Sequence, residues 1–272
     1  MKTRHLLYII LVVVSWGVEY LWIRFDLSLD LRVCGIHFVT LFLLPIVVLW
    51  PLISERVNLI EIIGRPGKFR WWILAFFIPL TIAGVSATLL SIFKVFSCPE
   101  DANIATRVLA LIVDLPLLYV LWFPLIISTE ICWRGSFFLR SGERLGTIGR
   151  SLIASSLWAL SLAGFIWLGY STNDYSPLTG GLSIVSLIVI GLYQSMIYRR
   201  SESILVSAFS LLCVLLINAS VFEIPVTGIR PFIEPLHPGT TPTVGGFFAS
   251  SCLLGLTGIA LWGSGKKRLP PD

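Results

Sequence analysis

The sequence predicts an all-α protein, a polytopic transmembrane helical bundle of about eight spans with both termini in the cytoplasm. Three observations support this fold class. Of the 272 residues, 56% are hydrophobic and only 13% are charged, whereas a soluble domain carries about 25% charged residues. Eight apolar stretches are long enough to cross about 30 Å of hydrocarbon. The basic residues alternate between connections in the way that orients membrane helices.

The apolar stretches follow one another along the chain and predict a single integral membrane domain, residues 1–272. The first stretch follows the segment MKTRH, but it is too long for a signal peptide and contains Glu19, so we expect a retained span. The fourth stretch leads directly into a polar motif, and its helix is expected to continue to about residue 139. The predicted spans are residues 5–23, 34–53, 71–96, 104–128, 150–170, 177–198, 203–220 and 243–263.

The distribution of basic residues predicts the orientation and the location. With the N-terminus inside, fifteen of the 20 Lys and Arg residues fall in cytoplasmic segments, as the positive-inside rule requires. The longest outer connection is a Pro-rich loop, residues 221–242. We expect a multi-pass protein of the plasma or inner membrane whose first partner is the lipid bilayer. The net charge of +5 is accounted for by topology and does not indicate nucleic-acid binding.

Four ionisable residues stand out in the predicted spans: Glu19, Arg107, Asp114 and, at the end of the fourth span, Glu130. Arg107 and Asp114 are two helical turns apart and so share a helix face. Charged side chains are rare in spans and usually face the bundle interior or a wet cavity. One interpretation is a proton or ion relay. The other is a set of structural contacts with neighbouring helices.

The stretch STEICWRGSFF at the end of the fourth span combines several polar and aromatic groups on one helix face. At 100° per residue, Thr129, Glu130, Trp133 and Arg134 fall within one arc of an α-helix. Glu130 and Arg134 form an i, i+4 pair with the acid on the N-terminal side, and Gly135 allows another helix to come close. From spacing alone, the pair either fixes a helix end to its neighbours or takes part in chemistry.

The same residues resemble motif 1 of the CPBP family, the CAAX-protease and bacteriocin-processing intramembrane endopeptidases, in which the pattern is E-E-x-x-x-R, often E-E-x-x-W-R-G. The similarity continues through ERLGTIGRSLIASSLWAL and, more weakly, through SESILVSAFSLLCVLLIN. It covers about residues 125–220, a family-like core. The resemblance implies peptide hydrolysis at membrane depth, with a glutamate as general base, histidines that assist it, and an amide donor.

Several positions depart from that pattern. Glu130, Trp133 and Arg134 match motif 1, but the first glutamate, the base implied by the resemblance, falls on Thr129. The positions of the implied histidines fall on Leu162 and near Leu211, and the implied asparagine falls near Leu215, a turn before Asn218. The three histidines of the chain are His5, His37 and His237. No metal-ligand set and no cofactor are therefore expected here.

Three functional hypotheses follow. The first is a catalytically inactive homologue that acts as a membrane scaffold, substrate-binding protein or assembly factor, with another membrane protein or a hydrophobic or lipidated peptide as partner. The second is an active endopeptidase with a rearranged site that uses Glu130. The third is a small transporter or ion-handling protein that uses Glu19, Arg107 and Asp114.

Overall fold

The computed structural model describes residues 66–93, 126–138, 146–163, 177–222 and 242–263, the short segments 96–97 and 234–235, and isolated positions at 10, 12–14, 16–17, 63 and 123. Within these residues the chain is helical, except for one two-residue strand pairing. The predicted spans 5–23 and 34–53, and most of 104–128, lie outside the described residues.

The helices agree closely with the predicted spans that the structure describes. They are α1 (Phe69–Ile92), the π-helix (Ile131–Phe138), α2 (Thr147–Ser161), α3 (Pro177–Ser201), α4 (Ile204–Phe222) and α5 (Pro242–Gly263). α4 ends and α5 begins just inside the predicted limits of the Pro-rich loop 221–242, so those limits were one or two residues too wide.

Three of the described helical segments are long and apolar enough to cross a membrane: Phe69–Ile92, Gly180–Ser201 and Gly246–Gly263. The apolar part of α4, Ile204–Asn218, is shorter. α1 contains Pro79 without ending there, as transmembrane helices allow when the surroundings satisfy the freed backbone groups. Large apolar side chains such as Phe77 on α1 and Ile259 on α5 are exposed. The prediction of a helical fold is thus confirmed for the described residues, and three of its helices are candidates to span a membrane.

A tight turn joins α3 to α4 at one end of the bundle. Glu202 has a left-handed backbone conformation, with φ of 54°. Ser203 then caps α4, because its Oγ accepts a 3.3 Å hydrogen bond from the Val206 N–H. Gly67, with φ of 75°, packs here: a Cβ on it would lie 2.7 Å from Val206 Cγ2. The start of α1 therefore lies beside the α3–α4 turn.

The opposite end of α1 meets the connection between α4 and α5. The strand β1 (Phe96–Ser97) pairs antiparallel with β2 (Glu234–Pro235). The starts of α1 and α4 also lie together, at Gly67 and Val206, so the two helices run in the same direction. α3 packs against α5, α2 and α4, and α4 packs against α1. α3 is therefore central among the described helices, and the candidate site forms along it.

Candidate functional site

Glu130 and Arg134 form a buried ion pair where an α-helical stretch passes into the π-helix. Glu130 Oε1 and Arg134 Nη1 are 2.8 Å apart, and both side chains are 0% exposed. The predicted i, i+4 pairing is confirmed, although residues 131–138 form a π-helix instead of the α-helix assumed from the sequence. Single-turn π-bulges are frequent at functional sites. This eight-residue π-helix begins directly after Glu130 and contains Arg134.

The second carboxylate oxygen of Glu130 is bonded to α4. Ser207 Oγ donates a 2.6 Å hydrogen bond to Glu130 Oε2. Such bonds to an ionised acceptor are short and about twice as strong as neutral ones. Burying two charges is costly unless further hydrogen bonds satisfy their remaining atoms, and Ser207 supplies one of them. Glu130 lies in the helical segment 126–138, which we call the motif helix. It thus links the motif helix to α4.

The guanidinium of Arg134 faces the other two helices. Its Nη2 donates a 3.3 Å hydrogen bond to the Gly191 carbonyl of α3. Its Cζ lies 5.3 Å from the centre of the Trp158 ring of α2, within the range of a cation–π interaction. Together, Glu130 and Arg134 contact α2, α3 and α4.

α2 and α3 pack closely against each other at Gly191, the residue whose carbonyl contacts Arg134. A Cβ at Gly191 would lie 2.6 Å from Ser155 Cβ and 3.1 Å from Ser155 Cα. Real Cβ atoms do not occur at such a distance, so a side chain here would push the helices apart. Small residues at membrane helix contacts allow this close packing.

Polar side chains of α3 and α4 extend the network beyond the ion pair. The amide of Gln194 is best assigned in the orientation that donates to the Ser207 carbonyl at 3.1 Å and accepts from the Leu211 N–H at 3.2 Å. Ser210 Oγ lies 3.4 Å from the same amide and 3.4 Å from the Tyr193 hydroxyl. These residues are all buried. They connect α3 to α4 along the face that carries Ser207.

The positions singled out by the resemblance lie in the protein interior. Thr129 is 4% exposed and lies directly before Glu130. The others belong to one apolar core or pack against it. Buried in that core are Trp133 and Leu211, and partly buried against it are Leu162 and Leu215. Leucine side chains have no ionisable proton and no metal-binding atom, so Leu162, Leu211 and Leu215 contribute apolar packing.

The remaining predicted residues are not brought to this site by any described contact. Glu19, Arg107 and Asp114 lie outside the described residues, as do the three histidines. Across the described ranges, no group of three or more His, Cys, Asp or Glu side chains is arranged to hold a metal ion. The observed arrangement holds one carboxylate and one guanidinium in contact with three helices.

Four contributors were missed by sequence reasoning: Trp158, Gly191, Gln194 and Ser207. Two signals in the sequence pointed to Gln194 and Ser207. Gln194 is a lone amide in an apolar helix, and Ser203, Ser207 and Ser210 recur at i, i+4 and i+7 on α4, a spacing that places them on one helix face. Neither signal names the partner, because that depends on how the helices pack.

Comparison with known proteins gives no relative: no family model matches the chain, and no curated protein matches it.

Proposed function

We propose that this chain is a catalytically inactive, CPBP-like integral membrane protein that works as a scaffold, substrate-binding protein or assembly factor. One observation carries the proposal. Glu130, the only carboxylate that motif 1 retains here, is fully buried, with one oxygen against Arg134 and the other bonded to Ser207. A general base must take a proton, at hydrogen-bond distance, from a substrate or from a water molecule that is free to attack the substrate. Glu130 is positioned instead to hold helices together.

The neighbourhood of Glu130 supports the same conclusion. The resemblance calls for a second glutamate and for histidines, and Thr129, Leu162 and Leu211 stand at those positions. Leu211 is buried and Leu162 packs against the same core. An apolar core at these positions stabilises the bundle, but it offers no group to transfer a proton or to stabilise an oxyanion.

The proposal includes eight spans with both termini in the cytoplasm of a plasma or inner membrane. Contacts at one end of the bundle favour this topology. Gly67 packs beside Ser203, and Arg200 donates to the Leu261 carbonyl near the end of α5. These contacts gather Lys68, Arg70, Arg199 and Arg200 at the end predicted to be cytoplasmic. A reporter fused after Asp272 should therefore give a cytoplasmic signal, and a signal from the other side would contradict the topology.

The expected partners are the lipid bilayer and another membrane protein, or a hydrophobic or lipidated peptide. The exposed apolar residues of α1 and α5 are suited to lipid or to a transmembrane partner, since water would disfavour so large an apolar surface.

A cleavage assay tests the proposal. The purified full-length protein is reconstituted into liposomes and incubated with prenylated peptides and with leader-type peptides, and an active CPBP endopeptidase is run in parallel as a positive control. We expect no cleavage. Cleavage that requires Glu130 would favour the active endopeptidase with a rearranged site. Proton or ion flux that is lost on changing Glu19, Arg107 or Asp114 would favour the transporter.

A further inference from the structure

Five buried polar atoms, three in the ion pair and two in α2, have no hydrogen-bond partner among the described residues. They are Glu130 Oε1, Arg134 Nε, Arg134 Nη1, Ser155 Oγ and Trp158 Nε1. Glu130 Oε1 and Arg134 Nη1 are in charge contact at 2.8 Å, but the contact is not aligned as a hydrogen bond. All four residues are at most 3% exposed. Leaving such a buried polar atom unpaired destabilises the folded state.

These atoms belong to side chains that converge on one place. Arg134 reaches the carbonyl of Gly191 and stacks at 5.3 Å over Trp158. Ser155 contacts Gly191 from α2, where a Cβ on Gly191 would lie 2.7 Å from Ser155 Oγ. Ser155 and Trp158 are three residues apart and so share a face of α2. The residues that carry the unpartnered atoms therefore meet where the helical segment 126–138 packs against α2 and α3.

The chemistry of these atoms defines the ligand that fits them. Arg134 and Trp158 offer N–H donors, Glu130 Oε1 needs a donor, and the Ser155 hydroxyl can do either. A cation would face the guanidinium and an anion would face the carboxylate, so neither suits the junction. A carbonyl oxygen would accept from the donors but could not donate to Glu130. A water molecule can do both.

We propose that the junction of Glu130, Arg134, Ser155 and Trp158 binds a structural water molecule. It accepts hydrogen bonds from Arg134 Nε and Trp158 Nε1 and donates to Glu130 Oε1 and Ser155 Oγ. Buried waters typically make about three hydrogen bonds to otherwise unpaired groups. With both lone pairs engaged by N–H donors, this water is not available as a nucleophile. The water site goes beyond the proposed function and would stand even if the chain proved to have another activity.

Two substitutions test the water site. Trp158→Phe keeps the ring under Arg134 but removes the indole N–H, and Ser155→Ala removes the hydroxyl. If both groups bind the water, each substitution should lower the melting temperature of the full-length protein in detergent by about 2–4 °C. Ser186→Ala is the matched control, because that buried hydroxyl already bonds to the Leu182 carbonyl at 2.9 Å. Ser186→Ala should therefore lower the melting temperature, relative to the wild type, much less than either test variant does.

A direct measurement on the wild-type protein keeps the test independent of folding. In protein labelled with ¹⁵N at the indole nitrogens, Trp158 Nε1–H should show a magnetisation-transfer cross-peak to water, assigned by its loss in Trp158→Phe. Absence of the cross-peak, or melting temperatures that stay the same or rise in both variants, would overturn the water site. A tightly bound peptide released on denaturation, with its carbonyl at this junction, would overturn it as well. Peptide cleavage in the assay above would contradict the proposed function without bearing on the water.

Discussion

Ser207 and Glu130, which are 77 residues apart in sequence, are joined by a 2.6 Å hydrogen bond in the buried interior. This bond connects α4 to the motif helix at the carboxylate that the family resemblance would assign to chemistry. Because Arg134 holds the other carboxylate oxygen, Glu130 is fixed from two sides. The relationship explains why a charged residue can remain in an apolar bundle and predicts which neighbours it depends on.

Ser207→Ala should destabilise the protein by about 1.5–3 kcal/mol, since it removes a hydrogen bond to a charged group and leaves a carboxylate oxygen unpaired. The melting temperature in detergent measures the effect. Ser210→Ala is the matched control, because Ser210 is equally buried but its contacts, at 3.4 Å, are long and involve neutral groups. Equal losses in the two variants would contradict the special role of Ser207.

Arg134→Ala should cost about 3–5 kcal/mol, because it leaves the buried Glu130 without its countercharge. Reduced abundance in the membrane and a lower melting temperature are the expected readouts. Arg70→Ala serves as the control: Arg70 also lies near a tryptophan, 5.7 Å from the Trp71 ring, but is exposed at the start of α1. Unchanged melting of Arg134→Ala would refute the structural role of the pair.

Removal of both charges should be better tolerated than removal of one. In Glu130→Gln with Arg134→Met, no unpaired charge remains, and apolar or neutral replacements of buried ion pairs are often close to neutral. The free energies of unfolding of both single variants and the double variant give the coupling. A double variant whose loss equals the sum of the single losses would show that the two residues do not act as a pair.

Gly191→Ala should destabilise the α2–α3 contact by about 1–3 kcal/mol, as expected for overpacking, because the new Cβ would meet Ser155 at 2.6 Å. Gly181→Ala in the same helix has nothing within 4 Å and should be neutral or slightly stabilising. Adding Ser155→Gly to Gly191→Ala should restore part of the loss. If the double variant regains no stability, the contact with Ser155 is not the cause of the destabilisation by Gly191→Ala.

The helices were predictable because each depends on a local property of the chain. Apolar length alone located α3 and α4 within a few residues. The i, i+4 spacing predicted the contact of Glu130 with Arg134. The π-helix was not predicted, because the hydrophobic pattern of Ile131–Phe138 does not indicate its wider turn.

The partners of the pair could not be predicted, since they depend on which helix faces which. α3 and α4 are apolar on nearly every side, so their sequences do not define an inward face. Ser207, Gly191 and Trp158 meet the pair only through the packing of α4, α3 and α2. An alanine at Gly191 would keep α3 apolar, yet it would clash with Ser155.

The most direct test of the central claim compares Glu130→Gln with the wild type, in one preparation, for peptide cleavage and for thermal unfolding. If Glu130 is structural, neither protein cleaves prenylated or leader-type peptides, and Glu130→Gln melts at a lower temperature because Arg134 loses its countercharge. Cleavage by the wild type that is abolished in a Glu130→Gln protein of unchanged melting temperature would contradict the account and identify Glu130 as a catalytic residue.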